Sequence, residues 1–226
     1  MEKLSGLPLK EVYRYLGYDE NKHELTDQMR QLVAQGMEDV LRLSEPRTVC
    51  SPILPLRRDG GSLFAGELML PGKDIEAHLE HCTGVIFMAA TLGVRLDQWI
   101  RRTEMLDMAK AVILDAAANT AIEKTAQAAE EELRQKIRSH DQYLTMRYSP
   151  GYGDFPIGLQ QEVLRLTDAP RKIGLSVTPS FIMIPRKSIT AVMGVADIDV
   201  KGRLAGCRTC VMNKKCIYRK RGTTCE

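Results

Sequence analysis

The 226-residue chain has a formal net charge of +3, with 44% hydrophobic and 27% charged residues, ordinary values for a globular protein long enough to bury a full core. Its longest apolar run, residues 84–90, falls far short of the roughly 20 residues a membrane span needs. Residues 1–18 lack the apolar stretch and cleavage site of a signal peptide, so a cytoplasmic protein with no membrane partner is expected.

In chain order, residues 7–18 and 26–44 read as helices. The second has Thr26 as its N-cap and Met29, Leu32, Val33, Met37, Val40 and Leu41 at helical spacing. VCSPILPLR (49–57) and SLFAGELML (62–70) flank Asp59-Gly60-Gly61 and read as a hairpin. A short helix is expected over 73–81. CTGVIFMAATLG (82–93) reads as a buried strand ending at a glycine. Residues 104–139 hold the longest helical pattern, with Glu132 and Lys136 as an i,i+4 pair and small residues, DAAANTA, over 115–121. Such a stretch lets another backbone approach closely.

YLTMRY (143–148) reads as a strand, Asp154 as the cap of a helix over 156–168, and 180–184 and 188–196 as further strands. Helices and strands are interspersed without a regular βαβ alternation, which argues for an α+β fold over a doubly wound sheet. His23, His78, His81 and His140 fall in polar contexts and read as surface residues, whereas Cys50 and Cys82 lie in apolar strands and read as buried thiols.

MRYSPGYGD (146–154) is the stretch least like packing. Gly151 can take a positive φ and Pro150 restricts Ser149, as a tight turn requires. Arg147 offers a planar fork of donors for a carboxylate, and Tyr152 a ring face suited to a sulfonium or an adenine. The plain alternative is a structural turn in which Arg147 pairs with Asp154.

Arg147-x-x-x-Gly151-Tyr152 resembles the R-x-x-x-G-Y motif with which the activation domain of vitamin B12-dependent (cobalamin-dependent) methionine synthase holds S-adenosylmethionine. MAATLG (88–93), the helix with Asp115 and Glu123, RYSPGYGD, IGLQQEVLRL and IGLSVTPSFIMIPRKSITAVMGV (173–195) follow in the order of free-standing relatives of that domain. The likeness covers residues 80 to 196, and the helices of residues 1–45 only loosely. It implies an α+β domain over 1–200: an antiparallel or mixed twisted sheet with flanking helices, one of them long and central.

The resemblance also implies that Arg147 and Tyr152 contact S-adenosylmethionine, partly through the backbone of Ser149, Pro150 and Gly151. Glu123 is a candidate for the ligand's amino group, with Asn119 as the alternative if the helix alignment slips. Lys187 and Ser188 look like a turn facing the same ligand, the plain reading being a solvated strand entry after Pro185. The chemistry implied is reactivation: a Co(II) corrinoid gains one electron, and the resulting Co(I) attacks the methyl of S-adenosylmethionine. No catalytic acid or base is required, and no Ser/His/Asp or Cys/His order suggests one. The D-x-H-x-x-G stretch of a cobalamin module is absent, so the corrinoid is expected in trans, on a partner protein, with a separate electron donor. A complete methionine synthase is not expected.

Residues 201–226 carry eight Lys or Arg and one acid, Glu226, giving +7 against −4 for the rest. They read as a separate basic tail holding Cys207, Cys210, Cys216 and Cys225 in a C-x2-C-x5-C-x8-C array. Four clustered thiols in a cytoplasmic chain favour a metal over disulfides: tetrahedral zinc or an iron–sulfur cluster. Zinc would make the tail a clip, and a cluster could supply the electron. Three functions therefore stand: a reactivation factor with S-adenosylmethionine-dependent methyltransferase chemistry, a binding-only relative, and a zinc-bearing nucleic-acid-binding or adaptor protein.

Overall fold

The computed structural model describes residues 4–18 and 24–200, among which lie seven α-helices and nine strands. In chain order these are α1 (Leu9–Tyr15), α2 (Asp27–Leu43), β1 (Arg47–Cys50), β2 (Leu54–Asp59), β3 (Ser62–Ala65), β4 (Leu68–Met69), α3 (Lys73–His78), β5 (Gly84–Thr91), α4 (Val94–Glu104), α5 (Met108–Arg138), β6 (Tyr143–Leu144), α6 (Gln160–Thr167), α7 (Ala169–Ile173), β7 (Ser176–Val177), β8 (Met183–Ile184) and β9 (Ser188–Ala196). The mixture is the expected α+β class, with α5 as the long helix. The cysteine array at 207–225 lies outside the described residues.

The chain divides into two units. The first takes the residues up to Val49 with Ala89–Glu131 and Asp168–Ile189; the second takes Cys50–Met88, Glu132–Thr167 and the residues from Thr190 on. In the first, α2 starts as its sequence predicts: Thr26 Oγ1 accepts the Met29 amide at 3.2 Å. Its buried stripe of Val33, Gly36, Val40 and Leu43 packs with Leu92, Leu96, Ile100 and Leu114. Close approach is built in, since a Cβ on Gly36 would meet Ile113 Cγ2 at 2.6 Å. The small stretch of α5 does what its composition implies: Ala116, Ala117, Ala118 and Ala121 are all buried in this core. The long helix expected over 104–139 forms as α5 and starts at Met108, where Asp107 caps it by accepting the Lys110 amide at 3.0 Å. The separate α4 ahead of it, which the sequence reading leaves unassigned, buries Leu96, Ile100 and Thr103.

The main sheet has seven strands, in the order β4-β3-β2-β5-β9-β6, with β1 pairing β5. The Asp59-Gly60-Gly61 hairpin forms in register, Arg58 opposite Leu63 and Asp59 opposite Ser62. The first of its strands breaks at Ser51-Pro52, where proline cannot donate to a ladder. Ser51 repairs the gap, its Oγ accepting the Phe87 amide at 3.0 Å. β5 is buried at all eight positions, as its uninterrupted apolar run predicts. The second unit's core gathers Leu63, Ile75, Leu79, Phe87, Tyr148, Phe155 and Val192.

Four expectations need correction in the second unit. The strand expected over 143–148 is not continuous. Thr145 N–H bonds Gly194 O and Tyr148 N–H bonds Val192 O, both at 2.9 Å. Two residues, Met146 and Arg147, thus face one, Met193, which is a β-bulge. Asp154 caps no helix after Pro156; the chain there makes a 3₁₀ turn, Ile157–Leu159, and then α6. Its carboxylate instead caps α3, accepting the amides of Lys73 at 2.7 Å and Asp74 at 3.0 Å. His78 is a buried residue, 2% exposed, because Thr145 and Met146 supply its polar partners. Cys50 is half-buried, whereas Cys82 is buried as expected and its thiol is pushed up to about 11, first by burial, with the Arg58 charge opposing.

Candidate functional site

The turn that follows the bulge is closed by its own backbone. Gly151 N–H donates to Phe155 O at 2.8 Å, Tyr152 N–H to Ser149 O at 3.1 Å and Phe155 N–H to Tyr152 O at 2.9 Å. Gly151 sits at φ +96°, a conformation that side chains other than glycine's strongly disfavour. Pro150 is buried, Arg147 and Ser149 are half-buried, and Gly151 and Tyr152 are exposed. The Gly151 and Tyr152 amides are engaged inside the turn, so the side chains of Arg147 and Tyr152, rather than these amides, are its candidates for ligand contact.

The aromatic ring is set by its neighbours. Tyr148, 5% exposed, meets Tyr152 edge-on at 5.8 Å between centroids and an interplanar angle of 81°. Tyr148 also packs against His78, with 4.9 Å between ring centroids. Tyr152 is 49% exposed and so keeps aromatic surface open on the turn.

The other candidates, Glu123, Lys187 and Ser188, belong to the first unit. Lys187 is not a solvated strand entry. Its side chain is only 13% exposed, and Nζ lies 2.6 Å from Asp115 Oδ1 and 2.7 Å from Asn119 Oδ1. Asn119 Nδ2 in turn donates to Asp115 Oδ2 at 3.2 Å. Ser188 Oγ is buried and bonds Thr91 Oγ1 at 2.8 Å and Pro185 O at 2.7 Å. Asp115, Asn119 and Glu123 recur every four residues along α5 and so share one face of it. Glu123, at the end of that row, is exposed; burial first, and then the Glu123 charge, raise the pKa of the Tyr15 phenol.

Asp97, on α4, is the residue that fixes this region and that sequence reading misses. It is 8% exposed, and its two oxygens accept the backbone amides of Arg186 and Lys187. Nothing local to Asp97 announces this, because its partners lie some 90 residues away. His78 escapes notice for the same reason. Among the described residues no group of three or more His, Cys, Asp or Glu could hold a metal ion, and no helix is long and apolar enough to cross a membrane.

The profile of the family described as "Vitamin B12 dependent methionine synthase, activation domain" matches residues 84–198. Among solved structures, the crystal structure of the MetH reactivation domain bound to AdoHcy is similar, with a TM-score of 0.61 and 16% sequence identity. The alignment covers 95% of this chain and 83% of that one. No curated protein sequence matches the chain.

The Asp97 geometry makes a prediction. Asp97→Ala removes a charged acceptor from two amides and should destabilise the protein by about 2 kcal/mol; Asp97→Asn keeps one acceptor oxygen and should cost less. Chemical denaturation measures both, and an unchanged midpoint in the alanine variant would contradict the assignment.

Proposed function

The chain belongs to the family of vitamin B12-dependent methionine synthase activation domains, and from that premise we propose that it binds S-adenosylmethionine and supports reductive methylation of a Co(II) corrinoid carried by a separate partner protein in the cytoplasm. The observation that carries the reading is the turn at 147–152: a glycine at φ +96°, a half-buried arginine and an exposed tyrosine in the family's own motif. The ligand's functional groups match this set. A carboxylate suits the fork of Arg147, and a sulfonium or adenine suits the ring face of Tyr152. Ser149, Pro150 and Gly151 shape the turn between them.

The family resemblance extends the proposal to Glu123, Lys187 and Ser188, each testable by its own substitution. For Lys187 the Asp115 and Asn119 contacts favour a role in fixing neighbouring groups over direct binding of an anion. When bound, S-adenosylmethionine supplies an electrophilic methyl group; the attacking electron pair comes from cobalt reduced by one electron from an external donor, and the sulfur keeps the bonding pair. The protein's part is to hold the donor and orient it, for which the residues named require no change of protonation.

Calorimetry with S-adenosylmethionine and with its demethylated product, S-adenosylhomocysteine, tests the binding claim. Either ligand should bind and raise the melting temperature by mass action. Arg147→Ala should weaken binding by about 1.5–3 kcal/mol, the range for hydrogen bonds to charged groups. Absence of binding by folded wild type at millimolar ligand would refute the claim.

For Cys207, Cys210, Cys216 and Cys225 we propose a bound zinc ion or iron–sulfur cluster, on the strength of their spacing and the cations around them. Protein purified without oxygen should hold metal that is lost when Cys207 and Cys210 are both changed to serine. Iron with acid-labile sulfide would make the tail a candidate electron path, zinc would make it a clip, and finding neither would overturn the proposal.

A further inference from the structure

Helix α3 has only six residues, yet it touches the 146–154 segment at both of that segment's ends. We infer that α3 is the splint that sets the geometry of the ligand-holding turn, with Asp154 and His78 as its two positioning residues; the inference rests on the reading of that turn as the S-adenosylmethionine clamp.

At the helix N-terminus, the Asp154 carboxylate accepts the amides of Lys73 and Asp74 at 2.7 and 3.0 Å. The exchange is mutual, since Asp154 N–H donates to Asp74 Oδ2 at 3.3 Å. At the other end, His78 Nε2 lies 3.0 Å from Met146 O, the carbonyl on the bulge. A carbonyl only accepts, so this bond requires the proton on Nε2. Residues 146 and 154 bracket the whole motif from Arg147 to Tyr152, and one short helix holds both.

A splint must itself be fixed, and α3 is. Ile75 and Leu79 are 0% exposed, and Arg58 donates to the carbonyls of Leu79 and Glu80 at 2.7 and 3.0 Å, just past the helix C-terminus. There is no slack between helix and turn. A Cβ on Gly72 would meet Asp154 Oδ1 at 2.7 Å, and one on Gly153 would overlap the Asp74 carboxylate and come within 2.9 Å of the Tyr148 hydroxyl. The side chains repeat the connection, because the His78 ring packs on Tyr148 and Tyr148 packs on Tyr152. Arg147 is one of the two bulge residues, Tyr152 joins the ring contacts, and α3 meets both features through His78. A turn held in this way does not have to be ordered when ligand binds, which raises affinity without adding a contact.

Asp154 is exposed, so its loss leaves the core intact while freeing one end of the turn. This separates positioning from folding. S-adenosylhomocysteine affinity is measured by calorimetry at a temperature where circular dichroism shows each variant folded. Asp154→Ala and His78→Leu should each weaken binding by about tenfold. Asp154→Asn keeps one acceptor and His78→Gln keeps an N–H for Met146 O, and both should return to within about threefold of wild type. Val40→Ala, a change in the first unit's core, which shares no residue with the helix or the turn, should lower the melting temperature without moving the affinity. Should the alanine or leucine variant fail to fold, Asp74→Ala takes its place, with a loss of about threefold expected. Wild-type affinity in the folded splint variants would overturn the inference and leave the clamp standing, as would equal losses in Val40→Ala. A wild type that does not bind would overturn the clamp and this inference together.

Discussion

Two backbone amides at the start of α3 have no acceptor within their own helix, and the carboxylate of Asp154 supplies one from 80 residues away. A six-residue helix cannot hold itself together in water. This one exists because its apolar face is buried at Ile75 and Leu79, because Arg58 meets the carbonyls just beyond its C-terminus, and because an anion sits where the helix dipole favours one. The dependence is mutual. Without α3 the bulge at Met146 and the turn at Gly151 lose the contacts at their two ends; without the turn, α3 loses its cap. Small local elements that are each marginal become rigid when each supplies the other's missing partner.

The first unit uses the same physics at Asp97. A buried carboxylate is costly unless its oxygens are satisfied, and here they receive the amides of Arg186 and Lys187. The chain entering β9 is thereby fixed, and the Lys187 side chain runs to Asp115 and Asn119 on α5. A nearly buried ammonium needs such a counter-charge. In both units a carboxylate on one element fixes backbone on another, and each time one side of the contact lies in the family's motif stretches: Arg186 and Lys187 in the first unit, Asp154 in the second. The proposed chemistry asks the protein for orientation rather than proton transfer, and orientation is what this arrangement supplies.

Local periodicity made much of the fold legible. Helix α2 shows its cap and its stripe, β5 its uninterrupted apolar run, the hairpin its Asp-Gly-Gly, and α5 its small-residue face. The positive φ of Gly151 was also readable, because only a glycine suits that place in the turn. What stayed hidden depends on partners distant in sequence. Asp154 announces a helix cap but not which helix, and proximity to Pro156 points to the wrong one. His78 looks like a surface residue because Thr145 and Met146, which satisfy its ring, lie 67 and 68 positions away. The bulge leaves no trace, since YLTMRY has the composition of an unbroken strand. The start of α5 at Met108 turns on Asp107 as a cap, which helical periodicity alone does not locate.

Hydrogen exchange read by mass spectrometry, with and without S-adenosylhomocysteine, tests the central claim most directly, because it reports on the turn itself. The amides of Gly151, Tyr152 and Phe155 are bonded within the turn. A ligand seated on Arg147 and Tyr152 should therefore slow exchange in a peptide covering residues 146–155, with α3 slowing alongside it. Binding seen by calorimetry but with protection confined to other peptides, and 146–155 unchanged, would contradict the account.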